Sequence, residues 1–532
     1  MRTLALILAA SQSLSALAAP PKMDSLFPAG AGREAARTVT AAGTFSNWPP
    51  QVWVDREGLT VTPAKDKGKL EIAAGADAAG VYFIRLFDAE GASVVRPFLV
   101  DSLPAVDEVE PNNTPEQAQP IDGNAVVDGV LHKTGEVDRF AIPMKKGQTL
   151  VASLQAHNRL GSPMDAVLQV ADPRGFVVAQ NDDNVGNDPQ IVFEAPADGT
   201  YSVGLFAFPA TPNSTINFSG SKSYIYRLTL TTAGFVDHCS PMAIDTETDS
   251  AIQLHGWNIP DTAASVTPSA IPGERQFVAH PELASFVEVV RSSIPVFAPA
   301  THTEGAPIAW PVVISDQISA VGEVDKFAFD AKKGQTLRCR VESDSLGYLL
   351  DPVVTLFDEK GKQLAEVDDS SGRRDSELRH TIPANGRYEL AVRDLYGNGG
   401  PRFAYRMTID DSPPGFALTV AADSFVVKGK EKLTLPIAVA RERGCSDEIA
   451  ISIEGLPETL TATTATSAAK GATAKEVKLE ISVSGEESLA FSGPIRIVGR
   501  IAGDKPRELA ATFTVAGTEQ TLDQIWLTAV KP

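Results

Sequence analysis

Cysteine is scarce in this 532-residue chain: Cys239, Cys339 and Cys445 stand about a hundred residues apart. An odd, scattered set makes no disulfide framework, and without close Cys/Cys or Cys/His spacing it supports neither zinc nor haem attachment. Buried free thiols are the expected state. Basic charge is also short, since 47 Lys and Arg face 67 Asp and Glu for a formal net charge of −20. That balance excludes nucleic acid as a partner, whose phosphates demand clustered Lys and Arg, and argues against an anionic membrane surface. Long apolar runs are missing, so no membrane span of ~20 residues is expected. Helical periodicity is missing too. The best helix candidate, "HPELASFVEVVRSS" at 280 to 293, carries β-branched residues that work against it. No His-Glu-x-x-His, Gly-x-Ser-x-Gly, Walker loop or Gly-x-Gly-x-x-Gly after a strand occurs, so no catalytic motif can be named.

What the chain does have is strand grammar. Residues such as Val81, Phe83, Leu86, Val94 and Phe98 alternate or nearly alternate with polar positions, and Gly, Asp and Pro punctuate the runs. At this length a single core is excluded and several domains are expected. The opening "MRTLALILAASQSLSALAAP" reads as a secretory leader: Arg2, an apolar run from Leu4 to Ala10, and a small-residue cleavage site at Ala16-Leu17-Ala18. Export is therefore expected.

One phrase occurs twice. "GEVDRFAIPMKKGQTL" at 135 to 150 returns as "GEVDKFAFDAKKGQTL" at 322 to 337, identical at twelve of sixteen positions. The likeness extends outward. "DAVLQVADPRG" aligns with "DPVVTLFDEKG", "ADGTYSVGL" with "ANGRYELAV", and "YIYRLTL" with "FAYRMTI". Asp172 to Gly175 and Asp358 to Gly361 read as hairpin turns, with Gly supplying positive φ. No His in one copy matches a His in the other, and acyl-transfer chemistry needs a nucleophile beside a base. The phrase thus reads as the folding grammar of a repeated module. The first copy is longer, through a polar insertion, "FPATPNSTINFSGSKS".

The ordered set "EPNN", Gly-x-Val-Asp-x-Phe, Lys-Gly-Gln and Gly-Thr-Tyr resembles the bacterial pre-peptidase C-terminal (PPC) domain. That family is a jelly-roll-like β-sandwich appended to secreted peptidases. It is similar also to the collagen-binding domains of clostridial collagenases. The flanking units resemble immunoglobulin-like IPT/TIG modules, an alternation like that of exported planctomycete-type proteins. The expected fold is all-β, built of tandem β-sandwich modules. After a leader at 1–19 come an immunoglobulin-like sandwich at 24–103, a PPC-like sandwich at 106–232 and a small immunoglobulin-like unit at 234–300. A second PPC-like sandwich at 301–411 and a C-terminal immunoglobulin-like sandwich at 413–532 follow.

"EVEPNN" sets Glu108, Glu110, Asn112 and Asn113 within six residues, ahead of the strand that Asp138 introduces. An extended Glu-x-Glu-x-Asn segment turns three oxygen-bearing side chains to one face, and calcium is bound by such carboxylate, amide and carbonyl oxygens. In the resembling collagen-binding domains this acidic segment and an aspartate near the Gly-x-x-Asp turn hold calcium. The resemblance therefore implies a calcium site at Glu108, Glu110, Asn112, Asn113 and Asp138. The second module lacks Glu-Pro-Asn-Asn and is expected to respond weakly or not at all. The cluster Asp182, Asp183, Asn184 and Asp188, with its counterpart Asp368, Asp369 and Asp375, reads as a solvated loop. "DHCS" at 237 to 240 reads as a junction strand with a buried Cys. Trp48, Trp53, Trp257 and Trp310 could line a polymer-binding face, but core or turn positions are expected of them.

These features imply an exported protein without catalytic activity, used for binding or surface assembly, with calcium as its cofactor. An extracellular or cell-envelope protein or polysaccharide is the expected partner. The alternatives are an accessory subunit for a separately encoded hydrolase, and a hydrolase without a recognisable motif.

Overall fold

Alternating apolar residues become strands because each strand can bury one face and wet the other. The computed structural model describes residues 19–532 apart from 212–216, 247–249, 269–274, 298–304, 371–373, 412–413, 430, 484–490, 504–505 and 531–532. The expected leader thus lies outside the described residues except at Ala19. Among the described residues the one α-helix is the four-residue His157–Leu160. Among the described residues no helix is long and apolar enough to cross a membrane. The helix candidate at 280 to 293 is turn and strand instead, with Val287–Ser292 pairing antiparallel with Arg275–Val278. Its β-branched valines are better accommodated on a pleated surface than in a helical turn.

The two copies of the repeated phrase sit in the same strand context. In the first, one sheet runs Ala105–Asp107, Ala125–Val130, Ile225–Thr231, Thr149–Gln155, Gln190–Glu194. The other runs Gln119–Pro120, Asp138–Met144, Gly199–Pro209, Met164–Ala171, Val177–Asn181. The second copy repeats both orders: Val296–Phe297, Val312–Gln317, Ala404–Asp410, Thr336–Glu342, Ser376–Thr381, facing Asp325–Ala331, Gly386–Asp394, Pro352–Asp358, Gln363–Val367. There the first strand of the second sheet shrinks to a bridge between Ile308 and Phe329. Each copy closes on its own apolar core, around Phe140, Leu154 and Tyr201 in one and Phe329, Leu337 and Tyr388 in the other.

Local chemistry explains why the phrase is spelled the same way twice. In "KKGQ" the side chain of Gln148 accepts the Lys145 N–H at 2.6 Å, and Gln335 accepts the Lys332 N–H at the same distance. Asp198 and Asn385 each accept the next lysine N–H at 2.8 Å. Gly147 and Gly334 hold φ of +80° and +87°, which other residues resist. Downstream, Tyr201 and Tyr388 each donate to a carbonyl four residues earlier. The repeated residues satisfy turn amides that no ladder reaches.

The sandwiches are not beads on a string. Val81, Phe83, Val95 and Leu99 of the N-terminal module join Phe416, Leu418, Leu435 and Ile497 of the C-terminal one in one apolar core. Arg85, fully buried, donates to the Asp423 carboxylate at 3.0 Å across that junction. Between the N-terminal and first PPC-like modules lies a buried charge chain. Arg227 bonds Asp101 and Asp128, each at 2.7 Å, and Arg37 bonds Asp128 at 2.5 Å as well as Asp107.

Candidate metal centre

Ala105–Asp107 pairs in parallel with Ala125–Val130, and the chain leaves that ladder at Glu108. The extended Glu-x-Glu-x-Asn face is therefore realised only in part. Glu108 is tethered by two donors, with Oε2 accepting the Val130 N–H and Oε1 the Asn112 amide, both at 2.9 Å. Glu110 Oε2 accepts the Asn112 N–H at 3.0 Å and the Asn113 amide at 2.9 Å. The Asn112 carbonyl accepts the Arg139 N–H at 3.1 Å, which holds the segment against the start of strand Asp138–Met144. Asp138, fully buried there, accepts the Tyr226 hydroxyl at 2.7 Å.

The result is a pocket of oxygens. Carboxylate oxygens of Glu108, Glu110 and Asp138 lie within 4.8 Å of one another. Two oxygens that share a calcium at about 2.4 Å can be no farther apart than about twice that distance, so the spacing fits. Two buried atoms of these residues, Asn112 Oδ1 and Asp138 Oδ1, accept no hydrogen bond from an N–H or O–H donor, while the Asp138 carboxyl lies within hydrogen-bond reach of Glu108. Buried acceptors are rarely left unmatched unless something else fills them. Asn113 plays a different part, since its amide nitrogen faces Glu110 and steadies that carboxylate.

Without a counter-ion the cluster cannot stay fully charged. Burial, reinforced by Glu108 and Glu136, pushes the Asp138 carboxyl up to about 10. The Tyr226 phenol above it is driven well above its ordinary range by burial and by the Asp138 and Glu108 carboxylates. Two unit charges at such distances repel by roughly 4 kcal/mol near a protein surface, and a divalent cation would reverse that sign. Every donor here is oxygen, which favours a hard cation over zinc or copper.

Glu136 escaped the sequence reading. It is buried, bonds the Lys133 N–H, and neighbours Glu110, with burial and that neighbour raising its carboxyl. Its signal was the repeated "GEVD" itself, where Glu136 and Asp138 recur as Glu323 and Asp325. Gly129 also escaped. A Cβ there would meet Tyr226 Oη at 2.2 Å and Glu108 Oε2 at 2.7 Å, so its bareness makes room for the glutamate.

The second module refills that space differently. Asp316 takes the place of Gly129, opposite Tyr405 as Gly129 is opposite Tyr226. Tyr405 donates to Asp325 at 2.7 Å, as Tyr226 does to Asp138. Burial, with Asp316 and Glu323 nearby, raises the Asp325 carboxyl from 3.8 to about 7. Folded protein therefore holds a proton here that unfolded chain releases, and this contribution is present below pH 4 and lost as pH rises through 7. Asp325→Asn is expected to unfold a few degrees later than the parent chain at pH 8, and at the same temperature at pH 4, by calorimetry. A gap that does not close on acidification would remove Asp325 as its source.

The other sequence candidates fall elsewhere. Asp188 and Asp375 are not solvated, as was expected of them, but buried. Asp188 accepts three backbone N–H groups, from Ala156 at 3.1 Å, His157 at 2.7 Å and Asn158 at 3.1 Å, and Asp375 accepts those of Ser343 and Ser345. Asp182 and Asp183, and their counterparts Asp368 and Asp369, are exposed and keep the character of an open loop. In "DHCS", Asp237 bonds His238, Gln190 and Arg402, tying three modules together. Cys239 lies in an apolar core with its thiol pushed up to about 12 by burial, which leaves it a poor nucleophile. All three cysteines are free and buried, as expected. The tryptophans share no face. Trp48 and Trp310 donate to the carbonyls of Ala64 and Asp330, Trp53 packs on Trp526, and Trp257 on Phe235.

Comparison with known proteins finds a family likeness over part of the chain. Residues 136–207 match the family model of the bacterial pre-peptidase C-terminal domain. Glu136 and Asp138 fall inside the matched PPC span, and Glu108 and Glu110 precede it. A probable subtilase-type serine protease of Deinococcus radiodurans is 33% identical over 136 residues, which is 25% of this chain and 18% of that protein. The chain therefore spans less than a fifth of that relative. The pre-peptidase C-terminal domain of a Bacillus anthracis collagenase is 17% identical with a TM-score of 0.18, covering 23% of this chain and 100% of that one. The M60 catalytic domain of Clostridium perfringens ZmpB with its two CBM51 domains is 12% identical with a TM-score of 0.15, covering 74% of this chain and 46% of that chain.

Proposed function

We propose that this protein is an exported, non-catalytic binding or accessory array of β-sandwiches whose first PPC-like module is clamped by calcium. The observation that carries the calcium reading is the carboxylate cluster of Glu108, Glu110 and Asp138 beside the buried Asn112 Oδ1, which accepts no hydrogen bond. Glu108, Glu110 and Asp138 would supply carboxylates and Asn112 its amide oxygen, with Asn113 and Glu136 supporting Glu110. The clamp would fasten the connection between the N-terminal and PPC-like modules, because Asp107 next to it already bonds Arg37 of the first module. The proposed ligand of the array is an extracellular or cell-envelope protein or polysaccharide. The PPC match supports a binding role, and the leader-like N-terminus supports export.

Calorimetry on the mature full-length chain tests the clamp. Millimolar calcium should raise the melting temperature by several degrees, following mass action on the folded state alone. Glu110→Ala, at an exposed position, and Asp138→Asn should each abolish most of that response. Identical melting with calcium and with chelator would reject calcium. A second reading, an accessory subunit for a separately encoded peptidase, is favoured by the segment shared with the Deinococcus protein. Affinity capture from the native cell envelope separates the two readings by whether a hydrolase or a structural polymer is retained.

A further inference from the structure

The two PPC-like modules differ sharply at one sheet edge. Val177–Asn181 is the last strand of its sheet, with Met164–Ala171 on one side and no strand among the described residues on the other. Gln190–Glu194 ends the facing sheet on the same side of the sandwich, where the Gln190 N–H donates to Asn181 at 3.0 Å. This double edge exposes apolar side chains: Phe176 by 64%, Val177 by 52%, Val178 by 45% and Val192 by 37%. Exposed, uncharged edges invite pairing, and folded proteins usually guard them with charge.

The sister module has that guard. Its matching hairpin reads Lys362-Gln363-Leu364 where the first reads Phe176-Val177-Val178, and the turns before them are built alike. Asp172 accepts the Arg174 and Phe176 N–H groups as Asp358 accepts those of Lys360 and Lys362. On the facing sheet Val151 pairs with Val192 where Arg338 pairs with Arg379. So Lys362, Gln363 and Arg379 stand where the first module has Phe176, Val177 and Val192. Both edges carry the same register break, at Val170/Ala171 and Leu356/Phe357, so backbone shape does not distinguish them. Side-chain chemistry does.

We propose that this edge of the first PPC-like module is a self-association surface, docking edge to edge on a second copy of the chain about a two-fold axis. Charge selects that occupant. With a net charge of −20, two copies can meet only where carboxylates are absent or matched. Residues 176 to 181 carry no charge, with Arg174 before them and Asp182 and Asp183 after. A two-fold axis makes the strands antiparallel. With the axis at Val178, Val177 faces Ala179 of the second copy, Phe176 faces its Gln180, and Arg174 faces its Asp182. The apolar residues meet at the centre, and at both ends Arg174, which already bonds Asp172 of its own turn, comes to face Asp182 of the second copy.

Sedimentation velocity on the mature full-length chain, over a dilution series to about 100 µM, reads the result. The parent chain should dimerise reversibly. Phe176→Lys with Val177→Gln, the residues its own sister module carries, should weaken dimerisation by roughly tenfold or more. Arg174→Asp should weaken it too, and adding Asp182→Arg should restore it, since the exchanged charges meet again across the axis. A monomer throughout the series overturns the proposal, as does an unaltered dimer in the Lys/Gln variant. Dimerisation that Arg174→Asp weakens and Asp182→Arg fails to restore rejects the two-fold pairing. Circular dichroism and melting of each variant show that the fold is kept.

Discussion

Arg227→Ala is expected to cost about 3–5 kcal/mol and to loosen the N-terminal module from the first PPC-like module. The guanidinium is 1% exposed and bonds Asp101, 2% exposed, and Asp128, fully buried. Removing it leaves two buried carboxylates with Arg37 alone to answer one of them. The pairs themselves have a smaller net worth, because burying the ions is costly to begin with. A triple variant, Arg227→Met with Asp101→Asn and Asp128→Asn, should therefore recover much of the loss. Hydrogen exchange of the strand amides at 96–101 and 125–130 gives the measurement: protection should fall in the single variant and return in the triple. Gly30 leaves room for the guanidinium, since a Cβ there would lie 2.2 Å from Arg227 Nη1.

Asp188→Ala is the second large effect, expected near 3 kcal/mol, because it strands three backbone N–H groups at the turn that starts His157–Leu160. A buried donor without a partner costs roughly 1–3 kcal/mol, tempered here by whatever water enters. Asp188→Asn, which keeps one acceptor oxygen, should lose less than half as much. Urea unfolding followed by hydrogen exchange at 156–158 distinguishes local from global loss. Equal effects of Ala and Asn would show that the carboxylate acts as a buried charge rather than as a cap.

Both residues show where sequence reading stops. Alternation gave the strands, and the repeated turn residues gave the module, because these signals are local and each position reports its own neighbours. Glu108 and Glu110 share a short segment, but Asp138 was joined to them only through the resemblance to the collagen-binding domains. Arg227 sits in "YIYRLTL" like any outward strand residue, and its partners are 99 and 126 positions away. Asp188 looked like a member of a solvated cluster because its acceptors' partners, the amides of 156–158, leave no mark in composition. Glu136 was visible in both copies, yet the same repetition that revealed the module made it read as turn grammar. Burial separates Asp188 from Asp182 and Asp183, and burial is a property of the assembled sandwich.

The apolar core shared by the N-terminal and C-terminal modules has a consequence for how the chain is made. Val81, Phe83, Val95 and Leu99 are synthesised early, whereas Phe416, Leu418, Ile497 and Ile525, which complete their core, come hundreds of residues later. At roughly 5–20 residues per second, the ribosome leaves that flank uncovered for tens of seconds. The first sandwich can close its own core around Leu70, Tyr82 and Phe98 at once. Its outer side stays sticky until the last module arrives. A growing chain of this protein therefore carries an open apolar flank over most of its synthesis, and the last hundred residues are what cover it.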